Sequence, residues 1–424
     1  MTSHIPAPLA HRDFRLFLGG LTASSFGSQF TSVAAAWQIY QLTNSPLDIG
    51  LMALARGLPQ MALLLLGGVL ADTIDRRRLL VITQLGELSV GAGLVILSWT
   101  GLISPLALYV ASALFGIFGA IETPARQALI PNLVPREQLT SALALHGVQR
   151  NVASIAGPSI AGVLLAFADP GWCYGVNTVS WLLMIAALAA IGVGATSPLP
   201  LREREPLLKS LSGGVRFVLS QPVLLGILLL DFGANIFGSS RALLPVFARD
   251  ILLVGAPGLG LLYAANSAGA MTGAVSISGL GEVRRAGVWV LAGLALYGFC
   301  TTIFALSTDY WVSWLMLAGA GAGDTIAAVF RGTIVQLLTP DGLRGRVSSV
   351  NGLFSNGGPQ LGQFESGLVA QLWSPEVSAL TGGLATLALV GIAASQPGLR
   401  KFEMDPSLTL PRKGGEDKTP NHGP

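Results

Sequence analysis

Charge is nearly absent from twelve stretches of this chain, each about 20 residues or longer and each closed off by Pro, Asn, Gly or a charged residue. They fall near 15–40, 47–71, 79–100, 104–124, 139–167 and 172–194, then 222–247, 257–279, 287–307, 310–332, 346–371 and 376–396. About 20 apolar residues carry a helix across the hydrocarbon of a bilayer. In that medium the helix satisfies its own backbone N–H and C=O groups. The runs are continuous rather than alternating, so they do not read as the strands of a membrane barrel. The prediction is an all-α membrane protein with twelve spanning helices.

Composition agrees with that count. The chain is 51% hydrophobic and 11% charged, against about 25% charged in a soluble domain. Its 53 glycines in 424 residues suit helices whose backbones approach closely in lipid. Cys173 and Cys300 lie in separate apolar runs and read as buried thiols, with no spacing for a disulfide or a metal. The first apolar run has no small-residue cleavage site before "QLTNSP", so it reads as a span and not as a signal peptide.

The basic residues test the topology independently of hydropathy. Cytoplasmic loops collect Lys and Arg, and an even number of spans puts both termini on one side. Twenty of the 25 Lys and Arg fall on that side, including Arg12, Arg15, Arg76, Arg77, Arg78 and Arg136. Arg56, Arg150, Arg241 and Arg331 fall within spans, which leaves Arg249 beside Asp250 on the other side. Loops such as "TGLISP" and "ADPGW" there contain neither Lys nor Arg. The expected location is a bacterial inner membrane, crossed many times, with both termini cytoplasmic. On this reading the net charge of +3 reports topology, and nucleic acid is not a partner.

The chain divides into an N-terminal segment 1–14, a six-helix bundle 15–195, a cytoplasmic linker 196–221, a second six-helix bundle 222–396 and a tail 397–424 whose Pro, Gly and charge content predicts disorder. In the linker, Leu207, Leu208, Leu211, Val215 and Phe217 can line one side of an interfacial helix. The halves echo each other. "GAIETPARQALIPNLVPREQL" parallels "GAGDTIAAVFRGTIVQLLTPDGL", "AGPSIAG" parallels "GGPQLGQ", and "ADTIDRRR" has a weaker counterpart in "GLGEVRRAG". Three matches in the same order suggest an internal duplication, the architecture of many secondary transporters with a site between the halves.

The stretch "GGVLADTIDRRR" resembles the signature between spans two and three of the major facilitator superfamily, with Gly68, Asp72, Arg76 and Arg77 at the family positions. Thr73 and Asp75 depart from it. The form is similar to the branch that contains the enterobactin exporter and the macrolide-efflux proteins. The resemblance runs from about Phe14 to Gln396 and includes "ETPARQALIPNLVP" and "LLPVFARDIL". It implies two pseudo-symmetric bundles, a conformational latch at Gly68, Asp72, Arg76 and Arg77, and alternating access. The alternative for the arginines is simple anchoring beside anionic lipid. "AGPSIAG" resembles the export signature of span five, with Gly157, Pro158 and Gly162 matching and Ala153 and Ala161 in place of glycines. It favours efflux, although tight packing alone would also account for it.

Ionisable groups at membrane depth are costly and mark substrate or proton paths. The candidate proton carriers are Glu87, Asp231 and Asp324, the last sharing a helical face with Arg331. Glu122 reads instead as the partner of Arg126 one turn away. The candidate substrate contacts are Arg56, Arg150, Arg241, Asn235 and Tyr174. Arg56 and Arg150 could hold an anionic group or could neutralise Glu87. Asn177, Trp181 and Gln363 are further candidate cavity liners. Span four lacks the central arginine that proton-linked members of the superfamily often carry, so proton antiport rests on the resemblance. No phosphate-binding loop is present, and neither a cofactor nor a metal is expected.

The resulting expectation is an exporter of a small organic molecule, a catecholate siderophore such as enterobactin, in exchange for protons. A macrolide or multidrug load is the alternative within the class, and a non-transporting membrane sensor or scaffold the alternative outside it. The partners are the substrate, protons and the lipid bilayer. A periplasmic or outer-membrane export partner is compatible with this reading.

Overall fold

The computed structural model describes residues 6–192, 207–278 and 285–396. Among them there is no strand. The first half comprises α1 (Arg12–Thr43), α2 (Pro46–Thr73), α3 (Arg76–Trp99), α4 (Pro105–Leu129), α5 (Leu139–Phe167) and α6 (Pro170–Ala190). A short amphipathic helix, α7 (Leu207–Ser220), precedes the second half. There α8 (Pro222–Phe237) and α9 (Leu244–Val246) are pieces of one span, followed by α10 (Gly255–Ser278), α11 (Ala286–Leu306), α12 (Tyr310–Leu338), α13 (Arg344–Leu372) and α14 (Pro375–Ser395).

The polar loops recognised in the sequence are helix punctuation. Ser104, Asp169 and Ser374 each accept a backbone N–H of the helix they precede, and each is followed by a proline at the first helical position. The side chain answers an orphan donor, and the proline occupies a position whose own N–H had no partner. Asn44 ends α1 in the left-handed conformation at φ 50°, one that asparagine tolerates.

Packing repeats between the halves. In the first, α2 packs on α4, α3 on α4 and α6, and α1 on α5 and α6; in the second, α10 packs on α12, α11 on α12 and α14, and α8 on α13 and α14. The same operation relates the two most extensive contacts between halves, α2 with α13 and α5 with α10. The twelve passages thus form two pseudo-symmetric six-helix bundles. Val218 of α7 packs against Leu224, Val347 and Val350, so the linker helix sits on the second bundle. The rest of the predicted linker and the tail 397–424 lie outside the described residues.

One span departs from the expected continuous helix. The run 222–247 breaks after Phe237, passes through Gly238, Ser239 and Ser240, and resumes as a 3-10 turn at Arg241–Leu243, α9 and a π-helical turn at Phe247–Ile251. The freed backbone is not left bare. Tyr297 Oη donates to the Gly238 carbonyl at 2.6 Å, and the Ser366 hydroxyl donates to that of Ser239.

Among the described residues, eight helical stretches are long and apolar enough to cross a bilayer on that test alone. α1 and α13 are the more polar of the passages, and between them they carry most of the polar residues that face the space between the bundles.

Candidate functional site: a cavity between the bundles

Hydrophobic packing places the cavity. At the end away from the arginine-rich termini of the helices, one cluster joins both halves, uniting Phe30, Trp37 and Trp181 with Leu243, Phe247 and Phe304. At the arginine-rich end the halves keep separate cores. Phe14, Phe17, Leu80 and Leu129 form one, and Ile227, Val290, Phe330 and Ile334 another. Among the described residues, the apolar packing shared by both halves lies at the arginine-poor end, and the cores at the basic end are separate.

Polar contacts and close backbone packing reinforce the seal. Tyr40 Oη donates to Asp250, Arg249 donates to Asn44 Oδ1 at 2.8 Å, and Ser45 Oγ donates to Gln371 Oε1 at 3.0 Å. The Arg249 guanidinium stands 5.4 Å over the Tyr40 ring, within cation–π range. A Cβ on Gly162 would lie 2.6 Å from the Ala256 carbonyl and 2.8 Å from Gly260 Cα, and one on Gly367 would lie 2.6 Å from the Pro46 carbonyl. Small residues let the backbones of opposite halves touch here. Of the span-five motif, Gly162 and the Pro158 carbonyl meet Gly260 of α10, while Gly157 meets Gln29 of α1.

The cavity has a volume of about 450 Å³. α1 contributes Ser28, Gln29 and Ser32, α2 contributes Arg56 and Gln60, and α13 contributes Asn356, Gln360 and Gln363. Arg241 and Tyr263 complete the polar wall from the second half, and Phe115 is one of its apolar faces. Among the described residues the two arginines are the charged ones of the lining, with no Asp, Glu or Lys beside them.

Three of the other candidate contacts lie elsewhere. Tyr174 is buried within the first bundle, donating to Gln38 Oε1 at 2.7 Å; Gln38 in turn donates to Ser98, and Ser98 to Asp169. Arg150 is exposed on α5, and Asn235 donates to the Asp231 carbonyl at 2.9 Å. Of the further liners, Gln363 faces the cavity, whereas Asn177 is buried and donates to Thr31 Oγ1 at 2.7 Å. Trp181 belongs to the hydrophobic seal.

The acids sit behind the cavity wall. Asp231 of α8 pairs with Arg331 of α12 at 2.7 Å, and Arg331 also donates to Asn351 and Ser355 of α13. Asp324 has no ion pair among the described residues. Glu87 is buried and accepts from Gln84 Nε2 at 3.0 Å, and Glu122 meets Arg126 at 3.1 Å.

The α2–α3 turn is held inside the first bundle. Asp75, which departs from the family signature, caps α3 through the Arg78 N–H at 2.9 Å. Arg76 donates to the Ala128 carbonyl at 3.0 Å and Arg77 to that of Ala189 at 2.7 Å. Both arginines thus satisfy carbonyls near helix C-termini, where positive charge is favoured. Gly68 and the Asp72 side chain lie outside what is described.

Two pseudo-symmetric six-helix bundles around a polar central cavity define a secondary transporter of the major facilitator type. The chain belongs to the transmembrane secretion effector family of that superfamily, matching it over residues 3–417. It is 30% identical over 382 residues to the enterobactin exporter EntS of Citrobacter koseri, covering 89% of this chain and 90% of the relative. It is also 30% identical over 379 residues to the enterobactin exporter EntS of Escherichia coli O1:K1 / APEC, covering 88% and 89%. The fold is similar to a bacterial homologue of the iron transporter ferroportin in an inward-facing state, at 16% identity and TM-score 0.70, covering 91% of this chain and 99% of that one. It is likewise similar to the nucleoside transporter NupG, at 12% identity and TM-score 0.67, covering 89% and 98%. The protein is a membrane transporter and not an enzyme.

Proposed function

We propose that this chain exports an organic siderophore of the enterobactin kind by alternating access, in exchange for protons, with both termini in the cytoplasm of a bacterial cell and the bilayer its inner membrane. The observation that carries the reading is identity to enterobactin exporters spread along about nine-tenths of both chains, with a central cavity whose arginine-poor end is closed by a core shared between the halves and whose described cores at the basic end are separate. The positive-inside rule makes that end cytoplasmic, so the arrangement is poised to load substrate from within the cell.

In this cycle the seal of Tyr40, Asp250, Arg249 and Asn44 opens as the bundles rock and the basic ends close. Asp231 is the proposed proton carrier. Protonating it would release Arg331, which ties α8 to α12 and α13. Asp72 and Gly68, with Arg76 and Arg77, serve as the latch at the end of α2.

The test is uptake of metal-free enterobactin into inside-out membrane vesicles, with and without an imposed proton gradient. Gradient-dependent accumulation above that of an Asp231→Asn control is expected. Uptake of a macrolide supplied in parallel, with none of enterobactin, would move the reading to drug efflux. If neither load moves, a sensor or scaffold is the better description.

A further inference from the structure

The described lining of the cavity has one sign of charge. Arg56 comes from the first half and Arg241 from the second, both are exposed to the cavity, and neither forms an ion pair among the described residues. α2 packs against the turn that carries Arg241, so the two like charges stand on adjoining walls. Glu87 and Glu122, the carboxylates nearest Arg56, act on it electrostatically from behind the wall without forming an ion pair with it; Glu122 pairs with Arg126, and Glu87 accepts from the neutral Gln84. The Arg241 guanidinium is held 5.3 Å over the Tyr263 ring, a contact that directs it without neutralising it.

Two unpaired cations at membrane depth are costly unless something answers them. Guanidinium groups offer forked N–H donors that match a pair of oxygens on a carboxylate or a deprotonated catechol. We infer that Arg56 and Arg241 form a two-armed anion site, one arm from each bundle, that selects organic ligands carrying an ionised carboxylate or catecholate and rejects organic cations. The inference deepens the export reading and uses the same cavity. Asn356, Gln360 and Gln363 recur at the four- and three-residue spacing of one helical face, and they supply neutral donors and acceptors for the remainder of such a ligand. The absence of any carboxylate among the described lining residues weighs against a drug with a protonated amine.

The experiment uses the full chain in lipid nanodiscs and three ligands that share a ring and differ in charge: 2,3-dihydroxybenzoate, catechol and dopamine. The anion is expected to bind tightest and the cation weakest. Arg56→Gln and Arg241→Gln should each weaken 2,3-dihydroxybenzoate by about tenfold to a hundredfold, the usual worth of a hydrogen bond to a charged group. Catechol binding should not change, and Arg56→Lys and Arg241→Lys should recover part of the loss. Equal affinity for the three ligands on the unmutated protein would overturn the inference without recourse to any variant. So would unchanged 2,3-dihydroxybenzoate affinity in glutamine variants that unfold at the parental temperature. Vesicle uptake of enterobactin with no charge preference would sink the anion site alone. Charge preference without enterobactin uptake would leave the site standing and remove the siderophore reading.

Discussion

Asp231 and Arg331 meet at 2.7 Å with the aspartate side chain 3% exposed. A buried pair is weak evidence of stability, since desolvation offsets the attraction, but removing one partner leaves a charge with no answer at a cost of about 3–5 kcal/mol. Arg331→Met alone should therefore lower the thermal unfolding temperature sharply. The double variant with Asp231→Asn should regain most of that loss in detergent, yet show no response of vesicle uptake to a proton gradient. A double variant as unstable as Arg331→Met would mean that the pair is not what Arg331 contributes. Gradient-driven uptake that survives in it would remove Asp231 as the proton carrier.

At the scale of the element, the break in the seventh span sets where Arg241 stands. A continuous helix from Pro222 would place that residue on a face fixed by the helical period. The interruption at Gly238 to Ser240 lets it turn into the cavity instead. Irregular backbone at this depth persists only where side chains or a cavity satisfy it, and Tyr297 does so for the buried Gly238 carbonyl. Tyr297→Phe leaves that acceptor without its donor, a cost of about 1–3 kcal/mol. The expected readout is a lower unfolding temperature with faster amide exchange confined to residues 238–243. Uniform exchange changes across the second bundle would point to general loosening instead.

For the whole molecule, the distribution of apolar packing decides the conformation. One core spans both halves at the arginine-poor end, and two separate cores serve the other. Transport then requires the shared end to come apart. Ser45 and Gln371 face each other across it with oxygens 3.0 Å apart, and the native Cys173 and Cys300 are buried. The variant Ser45→Cys with Gln371→Cys should cross-link on mild oxidation and lose transport, recovering it on reduction. Full transport in the cross-linked protein would show that this end does not open.

How much of this could be read from the chain follows from which forces are local. The twelve spans, the helix caps at Ser104, Asp169 and Ser374, and the Glu122–Arg126 pair depend on residues adjacent in sequence or one turn apart. Run length and spacing are sufficient to find them. The broken span had a signal in "GSSRALLP", where small residues and a proline follow an apolar run. The cavity face of α13 had one in the spacing of Asn356, Gln360 and Gln363.

Partnership between distant helices left no such trace. Arg331 shares a face with Asp324 by periodicity, yet it pairs with Asp231 from another helix. Tyr174, a candidate contact, turns into its own bundle to meet Gln38. By itself the sequence determined what each segment is: its length, its ends, and the end of the molecule at which its charges collect. Only the tertiary structure decided which segments meet, because the rotation of a helix about its axis is set by how its small and large side chains fit its neighbours. That rotation brought two arginines from opposite halves into one cavity and left the acids outside it.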